Sequence, residues 1–168
     1  MNKPITLIGF MGSGKSTIAR HLAQAKGMEY TDLDKLIQES ENESIASIFE
    51  TKGEEVFRQI ESNHLMDVIK KPNQIIALGG GTPCYQNNMD SIKKLSTSIY
   101  LKVSPEGLRN RLVRSHNPRP LISGMSEDEL LNYIRIKLSE RETYYKQADF
   151  VIESDQIRVE DLLSLIFI

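Results

Sequence analysis

A glycine-rich segment near the N-terminus has the residue types that bind a chain of phosphates. Residues 9–16 are Gly-Phe-Met-Gly-Ser-Gly-Lys-Ser, which fits the pattern of a glycine, four residues and then Gly-Lys-Ser. Glycines let backbone N–H groups turn towards an anion, and a helix N-terminus adds partial positive charge. Lys15 can reach the β- and γ-phosphates, and Ser16 can ligate Mg²⁺. The alternative is a glycine turn without a ligand. The predicted nucleotide-binding residues are Gly12, Ser13, Gly14, Lys15 and Ser16.

Two aspartates follow the second predicted strand. Asp32 and Asp34 are two residues apart, and side chains at that spacing lie on the same side of an extended chain. One carboxylate could orient hydrated Mg²⁺ while the other accepts the proton of an acceptor hydroxyl. The alternative is that one or both aspartates cap the helix that follows.

A helical segment of about thirty residues separates the second and third predicted strands and contains a candidate anion clamp. Arg58 and Glu61 are three residues apart, so they share a helix face, and the acid can hold the guanidinium. An oriented arginine binds a carboxylate through two hydrogen bonds. We therefore expect an acceptor-binding insert at about residues 33–61. The alternatives are a surface arginine at Arg58 and plain core packing for Phe49 and Phe57.

Three consecutive glycines, Gly79, Gly80 and Gly81, follow the third predicted strand. Each glycine costs backbone entropy on folding, and the absence of a side chain permits a ligand to approach the backbone closely. We expect this segment to contact the acceptor at the C-terminal edge of the sheet. A simple turn is the competing interpretation.

A proline-containing loop at about residues 114–125 carries basic residues and little apolar surface. Phosphoryl transfer needs positive charge on the transferring group and exclusion of water, so this loop is a candidate lid with Arg119 as its catalytic group. Arg141, on a helix farther along the chain, could complete the acceptor clamp. An isolated helix arginine is more often a solvated surface residue, which is the alternative for Arg141.

Apolar runs that alternate with helical patterns must position these side chains. Strands are predicted at residues 5–10, 29–33, 74–78, 98–103 and 150–152. Helices are predicted from Lys15, at residues 36–40, 44–50 and 54–70, after a cap at Ser104, from a capping box at Ser126 and Glu129, and near Val159. The alternation predicts a three-layer α/β/α sandwich with a five-stranded parallel sheet. Ligands of such folds bind beyond the C-terminal ends of the strands.

The length of 168 residues suits one domain over residues 1–168. Lys and Arg number 21 and Asp and Glu 23, so the net charge of −2 gives no bulk attraction to nucleic acid or acidic membranes. One cysteine, Cys84, excludes an internal disulfide. Neither a signal peptide nor a run of about 18 apolar residues is evident. We expect a cytoplasmic monomer that binds neither nucleic acid nor membrane.

Taken together, these residues resemble the shikimate kinase family over nearly the whole chain. The resemblance rests on the order and spacing of several segments: residues 9–17, 31–34, 47–49, 53–54, 57–58, 78–82 and 119–121, and Arg141 shortly before Tyr144 and Tyr145. Departures are Met11 in the phosphate loop and the individual sequences at residues 115–118 and 153–156.

The resemblance implies a P-loop kinase that uses ATP and Mg²⁺. Its product would be shikimate 3-phosphate, with ADP, in the biosynthesis of chorismate and the aromatic amino acids. Asp34 would bind ring hydroxyls and serve as general base, while Arg58 and Arg141 would bind the carboxylate with help from the backbone around Gly80. The other implied roles are metal binding for Ser16 and Asp32, catalysis for Lys15 and Arg119, nucleotide binding for Thr17, an adenine platform at Arg114, and pocket lining for Phe49 and Phe57.

Two other functions remain open at this point. A kinase for another small acceptor, such as gluconate or a nucleoside monophosphate, would share the fold, and a phosphate-bearing acceptor is possible on charge alone. A regulatory NTPase or GTP-dependent switch should carry an Asn-Lys-x-Asp guanine reader and an Asp-x-x-Gly motif after the third strand, and the sequence has neither.

Overall fold

A computed structural model of the chain describes residues 3–116 and 119–167. Residues 117 and 118 of the predicted lid therefore lie outside the described residues. Within the described residues, no helix has the length and apolar character that crossing a bilayer would require.

The centre of the molecule is a parallel five-stranded sheet, as the sequence predicts. Its strand order is β2-β3-β1-β4-β5, and every neighbouring pair is parallel. The first strand ends two residues earlier than predicted, because the glycine loop begins at Gly9. The strands are β1 (Ile5–Ile8), β2 (Glu29–Asp32), β3 (Gln74–Ala77), β4 (Thr97–Lys102) and β5 (Phe150–Glu153).

Helices connect the strands and cover both faces of the sheet. They are α1 (Lys15–Lys26), α2 (Leu33–Glu41), α3 (Ile45–Lys52), α4 (Glu54–Val68), α5 (Asn88–Leu95), α6 (Pro105–Arg114), α7 (Glu127–Tyr145) and α8 (Val159–Ile166). Short 3₁₀ turns lie at Thr82–Cys84 and Pro120–Ile122. Helix α5 was not predicted from the sequence, because its apolar pattern consists only of the buried Met89 and Ile92, three residues apart.

Alternation along the buried strands produces the three layers. In β3, Ile75 belongs to one hydrophobic cluster and Ile76 to the other. Tyr100 in β4 likewise faces away from its neighbour Leu101. Successive side chains of a strand point to opposite faces, so these apolar strands require cover on both sides. One layer contains α1, α6 and α8, and the other contains α4 and α5.

The helix starts match the predicted caps. Ser104 accepts a hydrogen bond from the Gly107 N–H at 3.0 Å. At the start of α7, the Glu129 N–H donates to the Ser126 hydroxyl at 3.2 Å, and the Glu129 carboxylate accepts from the Ser126 N–H at 2.7 Å. These reciprocal bonds form the capping box that the sequence indicates.

We expect Ser126→Ala to lower the free energy of unfolding by about 1 kcal/mol, because the first turn of α7 loses its side-chain acceptor. Urea denaturation of the purified variant measures this change. The matched control is Ser123→Ala, just outside the helix, for which the change should stay within about 0.5 kcal/mol. Equal effects of the two substitutions would contradict the role of the cap.

Candidate active site

The phosphate loop joins the C-terminal end of β1 to the N-terminus of α1. Gly12 and Gly14 have φ angles of 82° and 95°, in the left-handed region that favours glycine. Gly14 is the N-cap of α1 and has no side-chain capping bond. Backbone N–H groups of the first turn therefore remain available to an anion, and the helix dipole favours negative charge there.

Lys15 is held against the phosphate loop that precedes it. Its Nζ donates to the carbonyl oxygens of Gly9 and Phe10, both at 2.9 Å. Burial lowers the pKa of Lys15 to about 8, although the negative charge of Asp34 partly opposes the shift. Lys15 borders a cavity of about 390 Å³, which the phosphate loop also lines.

Ser16 and Asp32 form a pair of oxygen donors at the same edge of the sheet. The Ser16 hydroxyl donates to Asp32 Oδ2 at 2.7 Å. The other carboxylate oxygen accepts from the Lys35 N–H at 3.2 Å, so Asp32 also caps α2. Asp32 therefore caps the helix, which was the alternative to metal binding, and contacts Ser16 at the same time.

This donor pair fits Mg²⁺, which prefers hard oxygen ligands and usually keeps several waters. Among residues 3–116 and 119–167 there is no cluster of three or more His, Cys, Asp or Glu side chains suited to hold a metal ion.

Asp34 lies in the first turn of α2, on the wall of the same cavity. Burial raises the pKa of its carboxyl to about 6, and the negative charges of Glu61 and Asp32 add to the shift. The positive charges of Lys15 and Arg58 partly oppose it. Asp34 is thus a carboxyl group whose pKa lies near the range useful to a general base.

Arg58 and Glu61 form the charged pair expected from their spacing. Arg58 Nη1 donates to Glu61 Oε2 at 2.7 Å, and only 1% of the Glu61 side chain is exposed. The Thr82 hydroxyl donates to the other carboxylate oxygen at 2.5 Å. Glu54 approaches Arg58 Nη2 at 3.6 Å. The buried acid therefore has a partner on each oxygen, and the guanidinium is fixed in direction.

The three glycines after β3, residues 79–81, form a turn that touches these side chains; we call it the glycine turn. A β-carbon on Gly81 would lie 2.5 Å from Arg58 Nη2, and one on Gly79 would lie 2.8 Å from Glu61 Oε1. A β-carbon on Gly80 would lie 3.2 Å from Arg141 Nη1. The glycine turn is thus close-packed against the clamp.

Arg141, on α7, faces the same region. Its guanidinium carbon lies 5.6 Å from the centre of the Phe10 ring, which gives a cation–π contact beside the phosphate loop. Arg58, Arg141 and Gly81 together border a cavity of about 550 Å³. The structure therefore brings the two predicted clamp arginines to one cavity.

Arg119 is half-buried and borders the cavity of the phosphate loop. Its Nε is buried, and within the part of the chain that the structure describes it has no hydrogen-bond partner. Burial lowers the pKa of Arg119 from its ordinary value. A buried guanidinium nitrogen without a partner has a strong requirement for an acceptor.

The chain is similar in sequence to known proteins. A family model described as shikimate kinase matches residues 11–167. The chain belongs to the shikimate kinase family. It is 40% identical to shikimate kinase of Flavobacterium johnsoniae over 94% of this chain and 92% of that one. For shikimate kinase of Parabacteroides distasonis the identity is 36%, over 94% of this chain and 91% of the relative.

Solved structures agree with the family. The crystal structure of shikimate kinase from Bacteroides thetaiotaomicron has a TM-score of 0.95 at 31% identity and covers 99% of both chains. Shikimate kinase from Acinetobacter baumannii in complex with shikimate has a TM-score of 0.86 at 32% identity, over 99% of this chain and 92% of that one. Members of the shikimate kinase family are ATP-dependent kinases.

Arg111 lies beside the phosphate loop and was not predicted from the sequence. Its Nη1 donates to the Ser13 carbonyl at 2.9 Å, and its Nη2 donates to the Asp155 carbonyl at 2.7 Å. Arg111 also borders the phosphate-loop cavity, whereas Arg114, one turn later, is exposed and does not. An adenine platform at Arg114 stays a prediction. Because Arg111 is far from Ser13 and Asp155 in the sequence, no local sequence pattern predicts these contacts.

Phe49 and Phe57 pack against each other with ring centres 4.6 Å apart. Phe57 is a buried member of the hydrophobic core, and Phe49 packs against that core. Neither is among the described residues that border the two cavities. Their role as core residues is clear, and pocket lining stays a prediction.

The raised pKa of Asp34 can be measured directly. We expect a carboxyl ¹³C signal that is absent from Asp34→Asn to titrate with a midpoint of about 6. Asp155 is the internal contrast, because its bonds from the Ser104 N–H and hydroxyl hold its pKa below the ordinary value. A midpoint for Asp34 at the ordinary 3.8 would contradict the electrostatics described for the site.

Proposed function

We propose that the protein transfers the γ-phosphoryl group of ATP to the 3-hydroxyl of shikimate, giving shikimate 3-phosphate and ADP on the route to chorismate and the aromatic amino acids. The observation that supports this most strongly is the pair of arginines, Arg58 and Arg141, around a cavity beside the glycine turn. Two oriented guanidinium groups suit a small carboxylate. Membership of the family is independent support.

Nucleotide binding would use the phosphate loop. The open N-terminus of α1 and the N–H groups of Gly12 and Gly14 would hold the β- and γ-phosphates, with Ser13 in the same loop and Thr17 on the following turn. Lys15 is already at the cavity wall, where its charge would offset that of the γ-phosphate. Ser16 and Asp32 would hold Mg²⁺, which would neutralise phosphate charge.

Acceptor binding would place the reacting hydroxyl near Asp34. Arg58 and Arg141 would bind the carboxylate, and backbone N–H groups of Gly79, Gly80 and Gly81 would add donors beside them. The Asp34 carboxylate would accept the hydroxyl proton as the acceptor oxygen bonds to the γ-phosphorus and the bond from that phosphorus to the ADP oxygen breaks. Because the pKa of Asp34 is about 6, the carboxylate form predominates at neutral pH.

Charge on the transferring group would be stabilised by Lys15 and Arg119. The Nε of Arg119 is buried and has no hydrogen-bond partner among the described residues, and Arg119 borders the cavity of the phosphate loop; these features support a role in phosphate binding. Residues 114–125 would serve as the lid that excludes water, with Arg114 as an adenine platform.

We further propose one domain over residues 1–168 that acts as a monomer, with residues 33–61 as the acceptor-binding insert and Phe49 and Phe57 lining the acceptor pocket. The protein would work in the cytoplasm, where ATP is supplied, with no nucleic acid or membrane partner. The net charge of −2 supports the absence of a nucleic acid partner.

Release of ADP with ATP and Mg²⁺ tests the proposed reaction. We expect strong stimulation by shikimate and loss of turnover of about a hundredfold or more in Lys15→Ala, because the lysine charge on the γ-phosphate is removed. Mass spectrometry should show one phosphoryl group on shikimate. Intact ATP binding without any stimulation by shikimate would contradict the choice of acceptor.

The clamp is tested by the substrate dependence of Arg58→Ala. We expect kcat/KM for shikimate to fall about ten- to a hundredfold, because the substitution removes hydrogen bonds between charged groups. KM for ATP should stay nearly unchanged. Arg109→Ala is the matched control, since Arg109 is only half-buried and donates only to Asn110 among the described residues. A collapse of ATP binding in Arg58→Ala would show that the clamp is misassigned.

A further inference from the structure

The glycine turn is held from behind by a tyrosine that does not border either cavity. The Tyr145 hydroxyl donates to the Gly80 carbonyl oxygen at 2.5 Å. Tyr145 is the last residue of α7, and its side chain is fully buried in the core. We propose that Tyr145 is a positioning residue that sets the direction of the peptide between Gly80 and Gly81, and thereby the affinity of the site for an anionic acceptor.

Peptide geometry explains how one hydroxyl can have this effect. A trans peptide is planar, so its C=O and N–H groups point in opposite directions. When Tyr145 holds the Gly80 carbonyl, the Gly81 N–H points away from the core. Gly81 borders the cavity of about 550 Å³. Within the described part of the chain the Gly81 N–H has no acceptor, so it is available to a ligand.

The turn needs such an anchor, because glycine has no side chain to restrict its backbone. Its two ends are held by short-range bonds, from the Thr82 N–H to the Gly79 carbonyl at 3.2 Å and from the Cys84 N–H to the Gly81 carbonyl at 3.0 Å. The Gly80 carbonyl is held by Tyr145 alone among the described residues. Without that bond, the central peptide of the turn could rotate.

Tyr145 also links the turn to the clamp. It follows Arg141 by four residues, so both side chains leave the same face of α7. Arg141 Nη1 would lie 3.2 Å from a β-carbon on Gly80. One face of α7 therefore carries Arg141 and also, through Tyr145, holds the backbone of the glycine turn. Because both side chains belong to the same helix, α7 sets the distance between the Arg141 guanidinium and the Gly81 N–H.

Core packing alone is the competing explanation, and the structure contains a control for it. Tyr100 packs on Tyr145 with ring centres 5.1 Å apart and is 1% exposed. Its hydroxyl makes no hydrogen bond within the described residues. Tyr145→Phe and Tyr100→Phe each remove a hydroxyl group from one of two neighbouring rings. Only Tyr145→Phe removes the hydrogen bond that holds the glycine turn.

The kinetic test compares these two variants with the wild-type protein and rests on the proposed function. We expect Tyr145→Phe to raise KM for shikimate about two- to tenfold, as for the loss of a neutral hydrogen bond, with little change in KM for ATP. Tyr100→Phe should leave both constants unchanged. Equal changes in both KM values, or equal effects of the two variants, would overturn the positioning role.

A second measurement does not depend on the acceptor. In amide NMR spectra, Tyr145→Phe should shift the Gly81 N–H signal and speed its hydrogen exchange, while Tyr100→Phe should leave that signal in place. Unchanged Gly81 signals in Tyr145→Phe would overturn the proposal. If the wild-type protein failed to phosphorylate shikimate while the Gly81 signal responded as expected, the proposed reaction would be wrong but the anchor would stand.

Discussion

The site depends on one buried carboxylate, Glu61, which lies between a guanidinium and a turn made of glycines. A buried charge is costly unless its oxygens are paired, and here Arg58 and Thr82 pair both of them. That pairing fixes the direction of Arg58 beside the cavity that Arg141 also borders, and the negative charge of Glu61 contributes to the raised pKa of Asp34. A β-carbon on Gly79 would lie 2.8 Å from Glu61 Oε1, so the paired carboxylate would have to shift to make room for it.

The two glycine-rich segments require glycine for different physical reasons. The phosphate loop needs glycine for its left-handed φ angles at Gly12 and Gly14. Gly81 instead has φ −90° and ψ −14°, an ordinary conformation for any residue, and needs glycine only because Arg58 is so close. An alanine at position 81 would therefore act through the clamp, without straining the backbone.

Features set by local spacing could be predicted from the sequence. The phosphate loop, the capping box of α7 and the Arg58–Glu61 pair all depend on residues a few positions apart, and alternating apolar runs predicted the parallel sheet. Thr82 on Glu61, Tyr145 on Gly80 and Arg111 on the phosphate loop could not be predicted, because these partners are 21, 65 and 98 residues apart. Helix α5 was missed because its apolar pattern is short. The sequence also could not show that Asp32 caps α2 and contacts Ser16 at the same time, so that capping does not exclude a role in metal binding.

The most direct test of this account is the affinity of Gly81→Ala for shikimate, measured by calorimetry together with ADP binding and the free energy of unfolding. A β-carbon 2.5 Å from Arg58 Nη2 must displace the guanidinium, so we expect the shikimate Kd to rise about tenfold or more, with ADP binding unchanged. An unchanged shikimate Kd in a folded variant, or an equal loss of ADP binding, would contradict the claim that the glycine turn positions the clamp.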